Sequence, residues 1–180
     1  TAKGGVRALP GGGKGGAPVR GRSLHTPSGR ACRILADEAG AVLSASGLFQ
    51  QAHDGKMDLT LTPTGTPGHY DGALAVKETS LREAPTMAAL LSALSIVGLL
   101  EQLGGSGIVF SDVEARFRLT PRQIILTQAS AVGASMGLSM DGVYDLTTKA
   151  MDMQGVISPI YLINGIGSIL TRKGEGLIGF

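Results

Sequence analysis

Five consecutive residues, Gly133-Ala134-Ser135-Met136-Gly137, fit the G-x-S-x-G pattern of a nucleophile elbow. That device holds a serine on a sharp turn between a strand and a helix, where a histidine takes its proton. The residues after Ser135 alternate apolar and polar, as a strand does. Chance supplies such matches readily in a chain with 28 glycines. A serine hydrolase acting through Ser135 is the weakest of the readings open at this point.

The remaining chemistry-bearing residues are sparse. Gly11-Gly12-Gly13-Lys14-Gly15-Gly16 fits G-x-G-x-x-G, but no hydrophobic strand precedes it and no helical pattern follows, as a dinucleotide site requires. Gly15 stands where a P-loop needs Ser or Thr. His25, His53 and His69 lie singly in turn-like stretches, away from metal-ligand spacing. Cys32 is the one cysteine, so no intrachain disulfide forms. No carboxylate pair stands out as acid and base. The expectation is a protein without catalytic residues, metal or cofactor.

Composition narrows the partners. Hydrophobic residues make up 43% and aromatics 4%, with no Trp, so the apolar mass is aliphatic. Single-stranded nucleic acid needs aromatic stacking platforms, and none is expected as a partner. The net charge of +2 hides an asymmetry. Residues 1–33 hold seven basic and no acidic residues; the rest holds nine basic and fourteen acidic ones, a net of −5.

Residues 1–33, rich in Gly, Pro and Arg, read as a basic linker or long loop that cannot repay its ordering entropy. Contact of this stretch with anionic lipid or nucleic acid is the alternative. A β-rich domain is expected over 34–180. Its end at Phe180, inside an apolar run, reads as a fragment edge.

Within that domain, Asp37 is placed to cap a short helix through Val42 and Leu43 that ends near Gly47. Lys56 to Thr62 alternates strictly, with Met57, Leu59 and Leu61 on one face. Pro63 to Gly72 is turn-rich, and Ala73 to Lys77 reads as the returning strand. Pro85 opens a long helix through Leu103, closed by Gly104-Gly105. Its uncharged run suits a helix packed on a sheet; a membrane-touching helix is the alternative. Val113 to Leu119, Ile124 to Leu126, Met136 to Leu146 and Met151 to Ile157 read as further strands. Short polar turns between them predict an antiparallel meander.

The aliphatic and Met rows of these strands admit two accounts. One is an ordinary core beneath the long helix. The other is a curved sheet whose apolar face holds acyl chains, with Met adapting to different tails.

The C-terminal residues Gly155-Val156-Ile157-Ser158-Pro159-Ile160-Tyr161-Leu162-Ile163-Asn164-Gly165-Ile166-Gly167, then Gly174-Glu175-Gly176-Leu177-Ile178-Gly179-Phe180, resemble the closing signature of the AsmA-like C-terminal region of YhdP-type envelope proteins. Asp37 to Leu43 with Gly47-Leu48 is similar to that family's short acidic-Ala-Gly helix. Ala84-Pro85 through Leu100 is similar to its long helix. Gly107 to Phe110 and Arg116 to Leu119 are similar to the strand pair after it. The resemblance covers about Ile34 to Phe180. Ser168 to Lys173 is shorter than the apolar insert of many relatives, so no role of that insert carries over.

The resemblance implies a mainly β (α+β) fold: a curved, elongated antiparallel sheet, groove-like or "β-taco", with one long and two short helices. It implies a periplasmic, non-enzymatic body in a Gram-negative cell, anchored to the inner membrane by an N-terminal segment. It further implies phospholipid transport between inner and outer membranes, with envelope protein partners, or a scaffold for outer-membrane biogenesis. On that reading Met57, Leu59, Leu61, Leu138, Met140 and Met153 are the candidates for acyl contact.

Overall fold

The computed structural model describes residues 6–8, 19–47, 49–93, 101 and 103–159. Nine strands follow one another in space in chain order, each antiparallel to the last. They are β1 Val6–Ala8, β2 Val19–Thr26, β3 Gly29–Ala36, β4 Ala52–Pro63, β5 Tyr70–Leu81, β6 Ile108–Leu119, β7 Gln123–Gly133, β8 Met136–Asp145 and β9 Met151–Pro159. Two helices interrupt them, α1 Ala39–Ala45 and α2 Pro85–Ala93. The fold is mainly β: an open, curved antiparallel sheet with short helices.

Local chemistry closes three of the hairpins. Thr26 donates its hydroxyl to the Gly29 carbonyl at 2.8 Å around the Pro27-Ser28 turn. The Thr120 hydroxyl accepts the Gln123 N–H at 2.9 Å between β6 and β7. Asp145 closes the β8–β9 turn by accepting the N–H groups of Thr147 and Thr148, each at 2.8 Å. Side chains that bond nearby backbone in this way make tight turns favourable.

The reading of residues 1–33 as a linker needs correction where they are described. Val6–Ala8, Val19–Thr26 and Gly29–Ala36 are strands, with Val19 paired to Ala36 and Thr26 to Gly29. A strand at a sheet margin needs a backbone ladder and one half-covered face, not an apolar run. Val19, Gly21 and Ser23 supply that face while Arg20, Arg22 and Leu24 point away. Two of the three histidines also lie in strands: His25 in β2 and His53 in β4, both exposed.

α1 has Glu38, not Asp37, at its N-cap position, and no side-chain cap bond. It ends where expected: Gly47, at φ +73°, donates to the Ser44 carbonyl at 2.9 Å. α1 packs on the apolar face through Ala39, 0% exposed, over Ala36, Met57 and Val76. α2 covers another part of the same face. Leu91 packs there with Ile108, Phe110, Ala131 and Met136. Leu91, Ile108 and Met136 are fully buried, each contributing roughly 2 kcal/mol.

The described part of the long helix is thus seated on the sheet, the first of its two readings. Residues 101, 103 and 104 are helical again; 94–100 and 102 lie outside the described residues. Among the described residues no helix is long and apolar enough to cross a membrane. Pro159 ends β9, and residues 160–180, which carry most of the C-terminal signature, fall outside the described residues as well.

Gly40 sets how closely α1 approaches β4. A Cβ at Gly40 would lie 2.6 Å from the Ala52 carbonyl oxygen and 2.6 Å from His53 Cα. Gly40→Ala should therefore destabilise the fold by about 1–3 kcal/mol through overpacking. This opposes the gain of about 1 kcal/mol that helix propensity alone would give. The sign of the change in urea midpoint decides between the two effects.

Candidate functional site

The ladder register sorts the sheet into rows. One row runs Val19, Ala36, Met57, Val76, Val113, Ala131, Leu138, Ile157 from β2 to β9. The next runs Gly21, Ile34, Leu59, Leu74, Ala115, Ala129, Met140, Gly155. A third runs Ser23, Cys32, Leu61, Gly72, Phe117, Leu126, Gly142, Met153. A fourth joins Pro63, Tyr70, Leu119, Ile124, Tyr144 and Met151. All four lie on one face. Side chains alternate across a strand with period two, so the opposite face carries the polar positions between them.

Keeping these rows in phase needs local irregularities. Thr127 is an extra residue in β7: Arg116 pairs with Gln128 and Phe117 with Leu126. The bulge turns both Leu126 and Ala129 to the apolar face. A second irregularity crosses three strands. Gly55 in β4 has φ +89°, Glu78 in β5 has φ +56°, and Ser111 in β6 is extra against β7. The in–out order of β4, β5 and β6 changes together along that line. Leu81, Ile108 and Phe110 thereby join the helix-covered end of the apolar face.

Among the described residues the two helices cover the first row and its margin. Met57 is 4% exposed beneath α1 and belongs to the core; a buried thioether there is not open to a ligand. Leu138 is partly buried against the cluster under α2, and Leu59 against the one under α1. Leu61, Met140 and Met153 are half-buried and belong to neither cluster. The six candidates share one face, and these three lie farthest from the helices. Phe117, Leu126, Tyr70 and Tyr144 stand in the same open rows. Alternation places Phe117 and Tyr144 in their strands, but the Thr127 bulge within β7 hides that Leu126 shares their face.

The polar face is held by cross-strand ion pairs. Arg33 Nε donates to Asp58 at 2.9 Å, Lys77 Nζ to Asp112 at 2.6 Å, and Arg118 Nε to Asp71 at 3.1 Å. Lys77 stands directly opposite Asp112, and Asp71 opposite Arg118. Around Ala73 and Ala75 the small side chains leave a shallow depression edged by Asp58, Thr60, Glu114, Arg116 and Gln128. Both signs of charge line it.

Ser135 lies in the two-residue β7–β8 turn, with strand on both sides. The strand-to-helix geometry of a nucleophile elbow is not built there. His69 Nδ1 lies 3.1 Å from the Pro67 carbonyl, in the β4–β5 loop. Among the described residues no group of three or more His, Cys, Asp or Glu side chains is arranged to hold a metal ion.

No protein-family model, no curated protein and no solved structure matches the chain. The fold and the face together define its class: an open antiparallel meander, apolar on one side and charged on the other, with helices over one end of the apolar side.

The ion pairs predict an acid response. Hydrogen bonding from Arg33 holds the Asp58 carboxyl below its usual range, and hydrogen bonding from Lys77 does the same for Asp112. A carboxylate with a lowered folded pKa stabilises fully above its unfolded value, about 3.9, and loses that contribution as pH falls through the folded one. The urea midpoint should fall with pH below about 4, and Asp58→Asn should flatten part of that slope. An unchanged slope in the variant would contradict the pairing.

Proposed function

We propose that the open rows of the apolar face hold phospholipid acyl chains, in a non-enzymatic segment of a periplasmic envelope protein of the AsmA-like kind. The observation that carries this reading is the continuity of the rows. Apolar and small side chains run in register across eight strands, and three of the four rows extend past the helices. Contiguous apolar surface left half-open to solvent in this way suits an interaction site. Acyl chains suit it because apolar burial is non-directional, at about 25 cal/mol per Å², and most side chains of the open rows carry no hydrogen-bonding group. Met140 and Met153 add side chains that adapt to tails of different shape. The resemblance of Gly155–Phe180 to the AsmA-like closing signature supports the same reading, and with it an N-terminal inner-membrane anchor and passage of phospholipid between the two membranes.

A structural scaffold for the envelope is the second reading. The burial of Met57 beneath α1 favours it, since that end of the face is spent on the protein's own core.

Photo-crosslinking in cells tests the reading. A photoreactive residue at Leu61 or Met140 should give phospholipid adducts, and one at Gln128 or Ser139, on the other face and away from the β2–β3 margin, should not. Protein adducts alone at Leu61 and Met140 would overturn the acyl-chain reading and leave the scaffold.

A further inference from the structure

The β2–β3 hairpin concentrates positive charge on the polar side of the sheet. Arg20 pairs with Leu35, Arg22 with Arg33, and Leu24 with Ala31, so all six side chains share that face. The three arginines are exposed, and Leu24 and Leu35 are 52% and 37% exposed. The two leucines flank the central Arg22–Arg33 pair. Like charges directly opposite each other destabilise a sheet. Arg33 is offset by Asp58, but Arg20 and Arg22 make no ion pair among the described residues. No acidic residue precedes Asp37 in the sequence.

Exposed apolar side chains occur elsewhere on this face, Val132 at 54% and Val156 at 47%, but only at the hairpin do they alternate with arginines that no core would tolerate. Together they match a surface that is anionic outside and apolar just beneath. Nucleic acid fits less well: it would use the arginines but offers the leucines nothing, and no aromatic side chain stands on this face of the hairpin. We propose that the outer face of the β2–β3 hairpin docks on an anionic phospholipid membrane. The arginines meet the headgroup phosphates, and Leu24 and Leu35 enter the apolar layer below them. Charge complementarity carries the assignment, and it stands independently of the acyl-chain rows, which lie on the opposite face.

Flotation of the full chain with vesicles tests it. The protein should float with phosphatidylcholine vesicles that contain phosphatidylglycerol and not with phosphatidylcholine alone, and added salt should release it. Arg20→Gln with Arg22→Gln should lower the partition coefficient about tenfold or more, while Arg122→Gln with Lys149→Gln, the same charge change elsewhere, should move it less than about twofold. Leu24→Ser should weaken binding without altering its salt dependence. Removing like charges from an exposed face should not lower the thermal midpoint, so each variant can be checked for folding by circular dichroism. Equal flotation on neutral vesicles, unchanged flotation of the double arginine variant, or tighter binding to duplex DNA than to anionic vesicles at the same ionic strength would each overturn the assignment. Lipid adducts at Leu61 and Met140 would be unaffected by any of these, so the two surfaces fail or stand separately.

Discussion

Every strand of this sheet must keep its apolar positions in phase with both neighbours. A slip of one residue sends a strand's whole apolar set to the other face. Eight consecutive strands meet that demand, and the rest of the molecule follows from it. The extra residues are placed to preserve the phase. Thr127 is inserted where β7 would otherwise drift from β6 and β8. At Gly55, Glu78 and Ser111 three strands change order together, so pairing among them is uninterrupted and the mismatch appears only against β7. A positive φ at Glu78 costs of order 1–3 kcal/mol. The gain is that Ile108 and Phe110, 0% and 5% exposed, turn inward beneath α2.

That arrangement divides the apolar face in two. One end is core: α1 seals Met57 and Val76, and α2 seals Ile108, Phe110 and Met136. The other end runs as rows of Leu, Met, Phe and Tyr beyond the helices. At roughly 4.8 Å between strands the eight strands β2 to β9 span about 34 Å, so the longest open rows form a band of that order across the sheet. The opposite face carries ion pairs, scattered Val and Ile, and at β2–β3 two arginines that make no ion pair among the described residues. The two faces thus have different chemistries, one suited to acyl chains and the other to charged surfaces.

Much of this was legible from residue alternation. Met57 to Leu61, Val113 to Leu119, Met136 to Tyr144 and Met151 to Ile157 lie in the strands expected, in a meander, with Pro85 opening a helix on the sheet. What escaped was tertiary in origin. β2 and β3 carry Gly and Arg where an apolar run would announce a strand, and only pairing with β4 reveals them. Met57 has the same spacing as Leu61, but α1 lies over one and not over the other. No spacing rule says which end of a row a helix will cover. Gly40 could have hinted at it, since a glycine inside a helix costs stability unless a close approach requires it. Glu38 took the N-cap position in place of Asp37, a one-residue difference of the kind helix boundaries commonly show.

The six methionines offer the most direct test of the account, because they sample both ends of the apolar face. With methyl-labelled methionine and a phospholipid spin-labelled along its acyl chain, broadening should be strongest at Met140 and Met153 and weakest at Met57, sealed beneath α1 at 4% exposure. Uniform broadening of all six, or none at Met140 and Met153, would contradict acyl chains lying in the open rows.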